Sequence, residues 1–211
     1  MDLFYKVDED GCLFQEWPDN ATATELKTLA KNGDPGVLVM TDRTKEITIP
    51  AATVTIPGDT FKDCTSLTSV TVPDTVAQIG FQAFKNCTNL QSINLPANAY
   101  LDPWVFQGCS SLKNITIPSG CKIIERFAFK GCTSLTNVTI SEGVTEILQF
   151  PFDGCENLQS VTVPASVTTI HKGAFALGLF KKAPKNLKIV TPANSEADKY
   201  ARKNNIPVIN I

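Results

Sequence analysis

The sequence predicts a mainly β solenoid: a parallel strand ladder of stacked repeats with short second strands and turns, closed at each end by a cap containing a helical segment. Three observations predict it. Cysteines fall at 64, 87, 109, 132 and 155, spaced 23, 22, 23 and 23 residues apart. Phenylalanines keep the same beat three residues earlier, at Phe61, Phe84, Phe106, Phe129 and Phe152, and continue to Phe175. Leucines keep it three residues later, at Leu67, Leu90, Leu112, Leu135 and Leu158. Self-similarity at a fixed period of roughly 20–50 residues marks an architecture of stacked units.

Residues 1–36 are off the repeat and are expected to cap its open end. Leu3 to Trp17 reads as a hairpin around Asp10-Gly11. Thr22-x-x-Glu25 is a capping box, in which each side chain satisfies the other's end of the first turn. It opens a helix with Leu26, Leu29 and Ala30 on one face, and Gly33 stops it. The solenoid is expected over residues 37–192, in about six to seven turns. Its degenerate first copy begins near Val37, because Ile47-Thr48-Ile49-Pro50 lies one repeat before Val70-Thr71-Val72-Pro73, as Ile56 does before Ile79.

Within each copy, Val70-x-Val72, Ile93-x-Leu95, Ile115-x-Ile117, Val138-x-Ile140 and Val161-x-Val163 alternate apolar and polar. That period of two predicts a strand with one buried face. Proline follows at 73, 96, 118 and 164, and Ser141 replaces it once; proline has no amide to extend a ladder and so ends the strand. A second apolar pair (Val76/Ile79, Val144/Ile147, Val167/Ile170) predicts a second brief strand, and A-F-x-x-C suits a tight turn or a short helical turn. No copy can bury its apolar edge alone, so stacking makes the core.

The last turn opens at Phe175 with Gly178 in the cysteine slot, and a six-residue insertion at 181–186 precedes Leu187-Lys188-Ile189-Val190-Thr191-Pro192. Residues 193–211 are expected to cap that end. Ser195-x-x-Asp198 starts a helix with Ala197, Tyr200 and Ala201 on one face, and Ile206-Pro207-Val208-Ile209 offers a closing strand. The whole is expected to be one structural domain.

The run Ala83-Phe84-x-x-Cys87-x-x-Leu90-x-x-Ile93-x-Leu95-Pro96 resembles the BspA-like class of leucine-rich repeats. The resemblance covers roughly 37–192, and Ser195-x-Ala197-x-x-Tyr200-Ala201-x-x-Asn204 resembles the tail that often ends such proteins. It implies a leucine-rich-repeat solenoid without catalytic residues. It further implies a bacterial or protist protein, surface-exposed or secreted and associated with adhesion to host proteins or cells. The chain departs from the better-known leucine-rich pattern in lacking an L-x-x-N ladder.

Five of the seven cysteines share one repeat slot, so they read as core filling, since free cysteine behaves as a small buried hydrophobe. Cys12 and Cys121 lie outside the ladder, and a bridge between them is left open. His171 is the one histidine, and no C-x-x-C pair occurs, so neither a metal site nor a cofactor is expected. His171 falls in a variable slot shared with Gly80, Glu125 and Leu148 and reads as an ordinary surface residue. Glu142 and Glu146 share a copy but carry no mark of a catalytic pair. No phosphate-binding glycine loop is present. The expectation is a protein that is not an enzyme.

Two sets of residues are candidates for ligand contact. The outward slots of the main ladder hold Ser69, Ser92, Asn114 and Asn137 in one row and Thr71, Asn94, Thr116 and Thr139 in the next. They are small and uncharged, and read either as a solvated sheet face filled by residues that tolerate strands or as an extended surface able to hydrogen-bond a polypeptide or glycan. The slot before A-F holds Gln82, Trp104, Phe127, Phe150 and Gly173, so three successive turns carry a large aromatic. The column reads either as partial burial against the adjacent turn or as an exposed apolar patch, which usually marks a contact site. The expected partner is a protein or glycan, presented either at the cell surface or, on the alternative reading, inside the cell on the same scaffold.

With 19 basic and 21 acidic residues and a formal charge of -2, nothing predicts nucleic-acid binding, which needs clustered Lys and Arg. No apolar run reaches the roughly 18 residues of a membrane span, so no membrane insertion is expected. Met1 to Glu9 lack the basic and apolar regions of a signal peptide, which leaves either an intracellular protein or a chain whose leader has been removed.

Overall fold

In the computed structural model, residues 2–16, 27, 36–177 and 182–211 are described. The capping box at Thr22 and Glu25, the apolar face Leu26-Leu29-Ala30 and Gly33 lie outside these residues, as does the start of the insertion at Lys181.

β1 (Asp2–Val7) and β2 (Leu13–Glu16) form an antiparallel hairpin, with Phe4 opposite Glu16 and Val7 opposite Leu13. β3 (Val37–Thr41) joins the other side of β1, also antiparallel. The strand that opens at Val37, the expected start of the first repeat, also completes the cap sheet, and the first parallel rung is β4 (Glu46–Thr48). The reason is the open end of the stack. β3 alternates buried Leu38 and Met40 with half-exposed neighbours, and so supplies an inward face that joins Tyr5 and Leu13 in the same core.

From there each copy adds one rung to two parallel ladders. The main ladder contains β4 (Glu46–Thr48), β6 (Ser69–Thr71) and β8 (Ser92–Ile93), then β10 (Asn114–Ile117), β12 (Asn137–Ile140), β14 (Ser160–Thr162) and β16 (Lys188–Thr191). The second contains β5 (Thr55–Ile56), β7 (Gln78–Ile79) and β9 (Tyr100–Leu101), then β11 (Ile123–Ile124), β13 (Glu146–Ile147) and β15 (Thr169–Ile170). Equivalent residues pair: Asn114 with Asn137 with Ser160, and Glu146 with Thr169. A turn carries the A-F-x-x-C segment between the ladders.

The turn phenylalanines form the spine of the core. Phe61, Phe84, Phe106, Phe129, Phe152 and Phe175 are buried, and neighbouring rings lie 5.2 to 5.8 Å apart with planes within 19°. Burying each ring contributes about 1.5–3 kcal/mol. Tyr5 covers the first ring at 5.3 Å, and Tyr200 meets the last edge-on at 5.7 Å, so both open ends of the stack are closed by aromatic side chains of the caps. The cysteines line up beside this spine. The thiols of Cys87, Cys109, Cys132 and Cys155 donate to the carbonyls of Phe61, Phe84, Phe106 and Phe129 at 3.1 to 3.2 Å. All seven cysteines are free, so Cys12 and Cys121 are not bridged.

Both ladders break at the same level. β4-β6-β8 and β5-β7-β9 end there, and β10 and β11 start new sheets. The copy between Pro96 and Phe106 is one residue short, and the rung is lost. Thr68, Gln91, Thr136 and Gln159 each donate their amide to the same slot of the preceding copy, but the equivalent bond from Lys113 to Gln91 is absent. Asn94 repairs one edge of the gap: its amide accepts from Val72 N–H and donates to Val72 C=O, both at 2.9 Å, doing for β6 what a backbone peptide would do. On the turn side the copies stay joined, with Phe106 N–H bonded to Ala128 C=O and Gly108 N–H to Lys130 C=O.

The far end is closed by α1 (Glu196–Lys203) and β17 (Val208–Asn210), which pairs parallel with β16. Ser195 caps the helix by accepting Asp198 N–H at 3.1 Å, and Ala197 and Ala201 bury its inner face. No helix among the described residues is long and apolar enough to cross a membrane.

Candidate functional site

The slot before A-F has a backbone constraint that its side chains do not announce. Asp59, Gln82, Trp104, Phe127, Phe150 and Gly173 all sit in the left-handed region, with φ of 60, 57, 63, 59, 60 and 82°. Four residues on, Asp63, Asn86, Gly108, Gly131 and Gly154 form a second left-handed column. That second column is filled as steric rules require, because Asn, Asp and Gly tolerate positive φ. The first column begins and ends by the same rule, at Asp59 and Gly173. Its middle does not. Trp104, Phe127 and Phe150 are bulky residues held where a side chain crowds its own backbone, which costs of order 1–3 kcal/mol each.

Their rings pile on one another. Trp104 and Phe127 lie 4.3 Å apart with planes 29° from parallel, and Phe127 and Phe150 lie 6.1 Å apart at 16°. All three are half-buried. The faces that meet are covered by neighbouring rings, so what the column offers to solvent is its flank. Phe150 leans over Gly173, where a Cβ would come within 2.7 Å of the ring; glycine is required there by both space and φ. Lys130, three residues after Phe127 and missed by the sequence reading, places its ammonium 5.7 Å from the Trp104 ring and 5.2 Å from Phe127. The same ammonium pairs with Asp153 at 3.3 Å. The column is therefore an apolar stripe with one fixed cation on its edge.

The polar candidates lie on the main ladder. Asn94, Asn114, Thr116, Asn137 and Thr139 come together around a shallow cavity of about 380 Å³ floored by Ile93 and Ile115, where the ladder is broken. Asn137 donates to Asn114 at 2.8 Å, so these two amides form a short side-chain ladder. Asn94 is committed to Val72, which leaves less of it for a ligand than its outward slot implies. Ser69, Thr71 and Ser92 are on the same face but do not line this cavity, and neither do the aromatic residues.

His171 is expected to be an ordinary surface residue, and it is half-exposed, with both ring nitrogens in contact with side chains of the coil before. Its Nε2 lies 2.6 Å from Glu146 Oε1 and its Nδ1 3.1 Å from Gln149 Nε2. With both ring nitrogens engaged by a carboxylate and an amide, neither is left to activate a hydroxyl or thiol nucleophile. The buried thiols are equally unsuited to chemistry. Burial pushes Cys109 and Cys155 up to about 12, and Cys121 up to about 11. Burial and the neighbouring Asp63 push Cys64 up to about 11. These groups stay protonated at neutral pH, and the thiolate is the reactive form.

Comparison with known proteins agrees with this architecture. The chain is similar in structure to the pneumococcal vaccine antigen PcpA, with a TM-score of 0.65 and 18% identity over 80% of this chain; it spans 42% of that chain. A leucine-rich repeat protein of T. pallidum matches with a TM-score of 0.65 and 23% identity over 97% of this chain and 94% of its own. A leucine-rich cell surface protein of Faecalibacterium prausnitzii matches at 0.62 and 22% over 92% of this chain and 53% of its own. No curated protein matches the sequence. The model of the BspA-type leucine-rich repeat region matches in six copies over residues 39–120 and 99–190. The chain belongs to the BspA-type leucine-rich repeat family.

Proposed function

We propose that this protein is a non-catalytic binding module that presents its solenoid surface to a protein or glycan at the cell surface, in adhesion or in contact with a host or another cell. The observation that carries the reading is the left-handed aromatic column. Trp104, Phe127 and Phe150 keep strained backbones in a slot where Asp59 and Gly173 stand without that cost, and strain retained on a surface is a mark of function. The amide-lined face around Asn114 and Asn137 is a second contact area on the same module. Similarity in fold to a vaccine antigen and to a cell surface protein supports the surface address. The seven free thiols favour a second reading, an intracellular scaffold using the same surface, since exported proteins tend to oxidise their cysteines.

The test is binding of the purified protein to immobilised extracellular-matrix proteins and to a glycan array, beside a Trp104→Asn/Phe127→Asn/Phe150→Asn variant. Asparagine suits the left-handed backbone, so the fold is preserved while the rings are removed. Binding by the wild type that the variant loses, at an unchanged melting temperature, supports the reading. A variant that binds as the wild type does removes the column from it. Fractionation of producing cells separates the two addresses.

A further inference from the structure

Charge is divided unevenly along this chain. Residues 1–36 hold eight acidic and three basic residues, and residues 172–211 hold eight basic and two acidic. Between them the signs are mixed, with eight basic and eleven acidic residues. In a solenoid, order in sequence becomes order along the axis, because each coil lies on the one before. The described residues place the opposed charges at the two ends of one ladder. The hairpin tip Asp8-Glu9-Asp10 is exposed, and Gly11 beside it accepts Val54 N–H at 2.7 Å, which ties the tip to the start of β5, the first rung of the second ladder. Asp8 is used within the turn, where its Oδ1 accepts the amides of Asp10 and Cys12 at 3.1 and 2.8 Å. Glu9 and Asp10 have no cationic partner among the described residues.

At the other end α1 packs on β15, the last rung of the same ladder, and its Lys199, Arg202 and Lys203 are exposed. Arg202 is held by Asp198 at 2.7 Å and Lys199 only loosely by Glu196 at 4.0 Å, while Lys203 has no anionic partner among the described residues. Apolar side chains are exposed at both ends as well: Phe14 and Val54 beside the hairpin, and Ile209 on β17. β17 closes its sheet, and among the described residues no strand pairs with its outer edge; an unpaired edge is a template for another chain. A charged surface with apolar residues in it fits one of opposite sign built the same way, and this chain carries both. Like ends repel, which disfavours a twofold dimer through either end. We propose that copies of this protein associate head to tail, the α1 end of one against the acidic hairpin of the next. The contact joins two different surfaces, so each added copy leaves the same two ends open and the assembly grows as a chain. It uses neither the aromatic column nor the amide-lined face.

The experiment is sedimentation velocity of the full chain from about 10 μM to 1 mM, the range of weak contacts. The mean mass should rise with concentration past that of a dimer, and it should fall when salt is raised from about 0.05 to 0.5 M, which shortens the reach of exposed charges. Glu9→Gln/Asp10→Asn neutralises one end and Lys199→Gln/Lys203→Gln the other. All four side chains are exposed, so the circular dichroism of each variant should match the wild type. Each variant should self-associate about two- to thirtyfold more weakly, as expected for two exposed ion pairs. Mixed, the two variants should form a one-to-one complex at the wild-type affinity, because the mixture restores one intact contact and no second. The proposal is overturned if the wild type stays monomeric throughout, if salt leaves the association unchanged, if either variant associates as the wild type does, or if the mixture binds no more tightly than its components. A wild type that stays monomeric yet binds heparin gives the basic end to a polyanion and overturns it too.

Discussion

Phe127 stacks on Trp104 with ring centroids 4.3 Å apart while both residues hold left-handed backbones, at φ of 59 and 63°. The two effects oppose each other. A stacked aromatic pair contributes about 0.5–1.5 kcal/mol beyond its area burial, whereas each left-handed bulky residue costs of order 1–3 kcal/mol. Two stacks do not offset three strained backbones by any wide margin, so the column is not explained by stability alone.

Phe127→Asn should therefore change unfolding free energy by no more than about 1.5 kcal/mol, because relief of the backbone offsets the lost ring contacts. Phe129→Ala, two positions on and fully buried in the spine, should cost about 3–5 kcal/mol. Urea denaturation of both variants measures the contrast. Equal losses would mean that the column is core packing like the spine.

The thiols give a second check. At neutral pH half-exposed Cys12 should react quickly with a disulfide reagent, half-exposed Cys64 slowly because burial and Asp63 hold its thiol protonated, and the five buried thiols only on unfolding. The ladder cysteines are held back twice, by burial and by being kept protonated. Seven thiols in denaturant with one fast in the native state is the expected count. Rapid native labelling of Cys109 or Cys132 would contradict the packing of the spine.

The periodic residues made the fold legible. Phe, Cys and Leu at one beat need no knowledge of angles, because burial selects residue type directly. Backbone conformation is selected less openly. The second left-handed column is visible in sequence as Asp63, Asn86, Gly108, Gly131 and Gly154. The first is disguised by Trp104, Phe127 and Phe150, and only Asp59 and Gly173 at its ends betray it. Contacts between copies are the least legible: Glu146 reaches His171 across one coil boundary on a diagonal, and Lys130 lies over Trp104 of the coil before. Neither pair shares a slot, so no periodic reading aligns them. The break in the ladders follows from one missing residue, whose place was evident but whose consequence for hydrogen bonding depended on the path of the chain.

That break has a measurable signature. Thr136 and Thr145 donate to Lys113 and Lys122 at 2.8 Å, while the corresponding bonds from Lys113 and Lys122 to the copy before are absent. In native-state hydrogen exchange the amides of Lys113 and Lys122 should exchange markedly faster than those of Thr136 and Thr145, since protection follows the local hydrogen bond. Insertion of one residue after Ala97 restores the repeat length and should raise protection at both. Equal protection in the native chain would show that the two halves form one continuous ladder.

The C-terminal cap should be the acid-sensitive end of the molecule. Asp198 is almost fully shielded, and its carboxylate accepts Asn194 N–H at 2.9 Å and Arg202 Nε–H at 2.7 Å. The Asn194 amide first, and Arg202 after it, hold the carboxyl below its ordinary 3.8 against the opposing effect of burial. Because the folded group is the stronger acid, the unfolded chain takes up the proton first on acidification. The stabilisation is then complete above the ordinary value and is lost as pH falls from there through the folded value. Asp198→Asn should accordingly lower the melting temperature at neutral pH, and the gap to wild type should narrow as pH falls below the ordinary carboxyl value and on through the lower folded one. A gap that persists undiminished in acid would show that Asp198 acts through the shape of its hydrogen bonds and not through its charge.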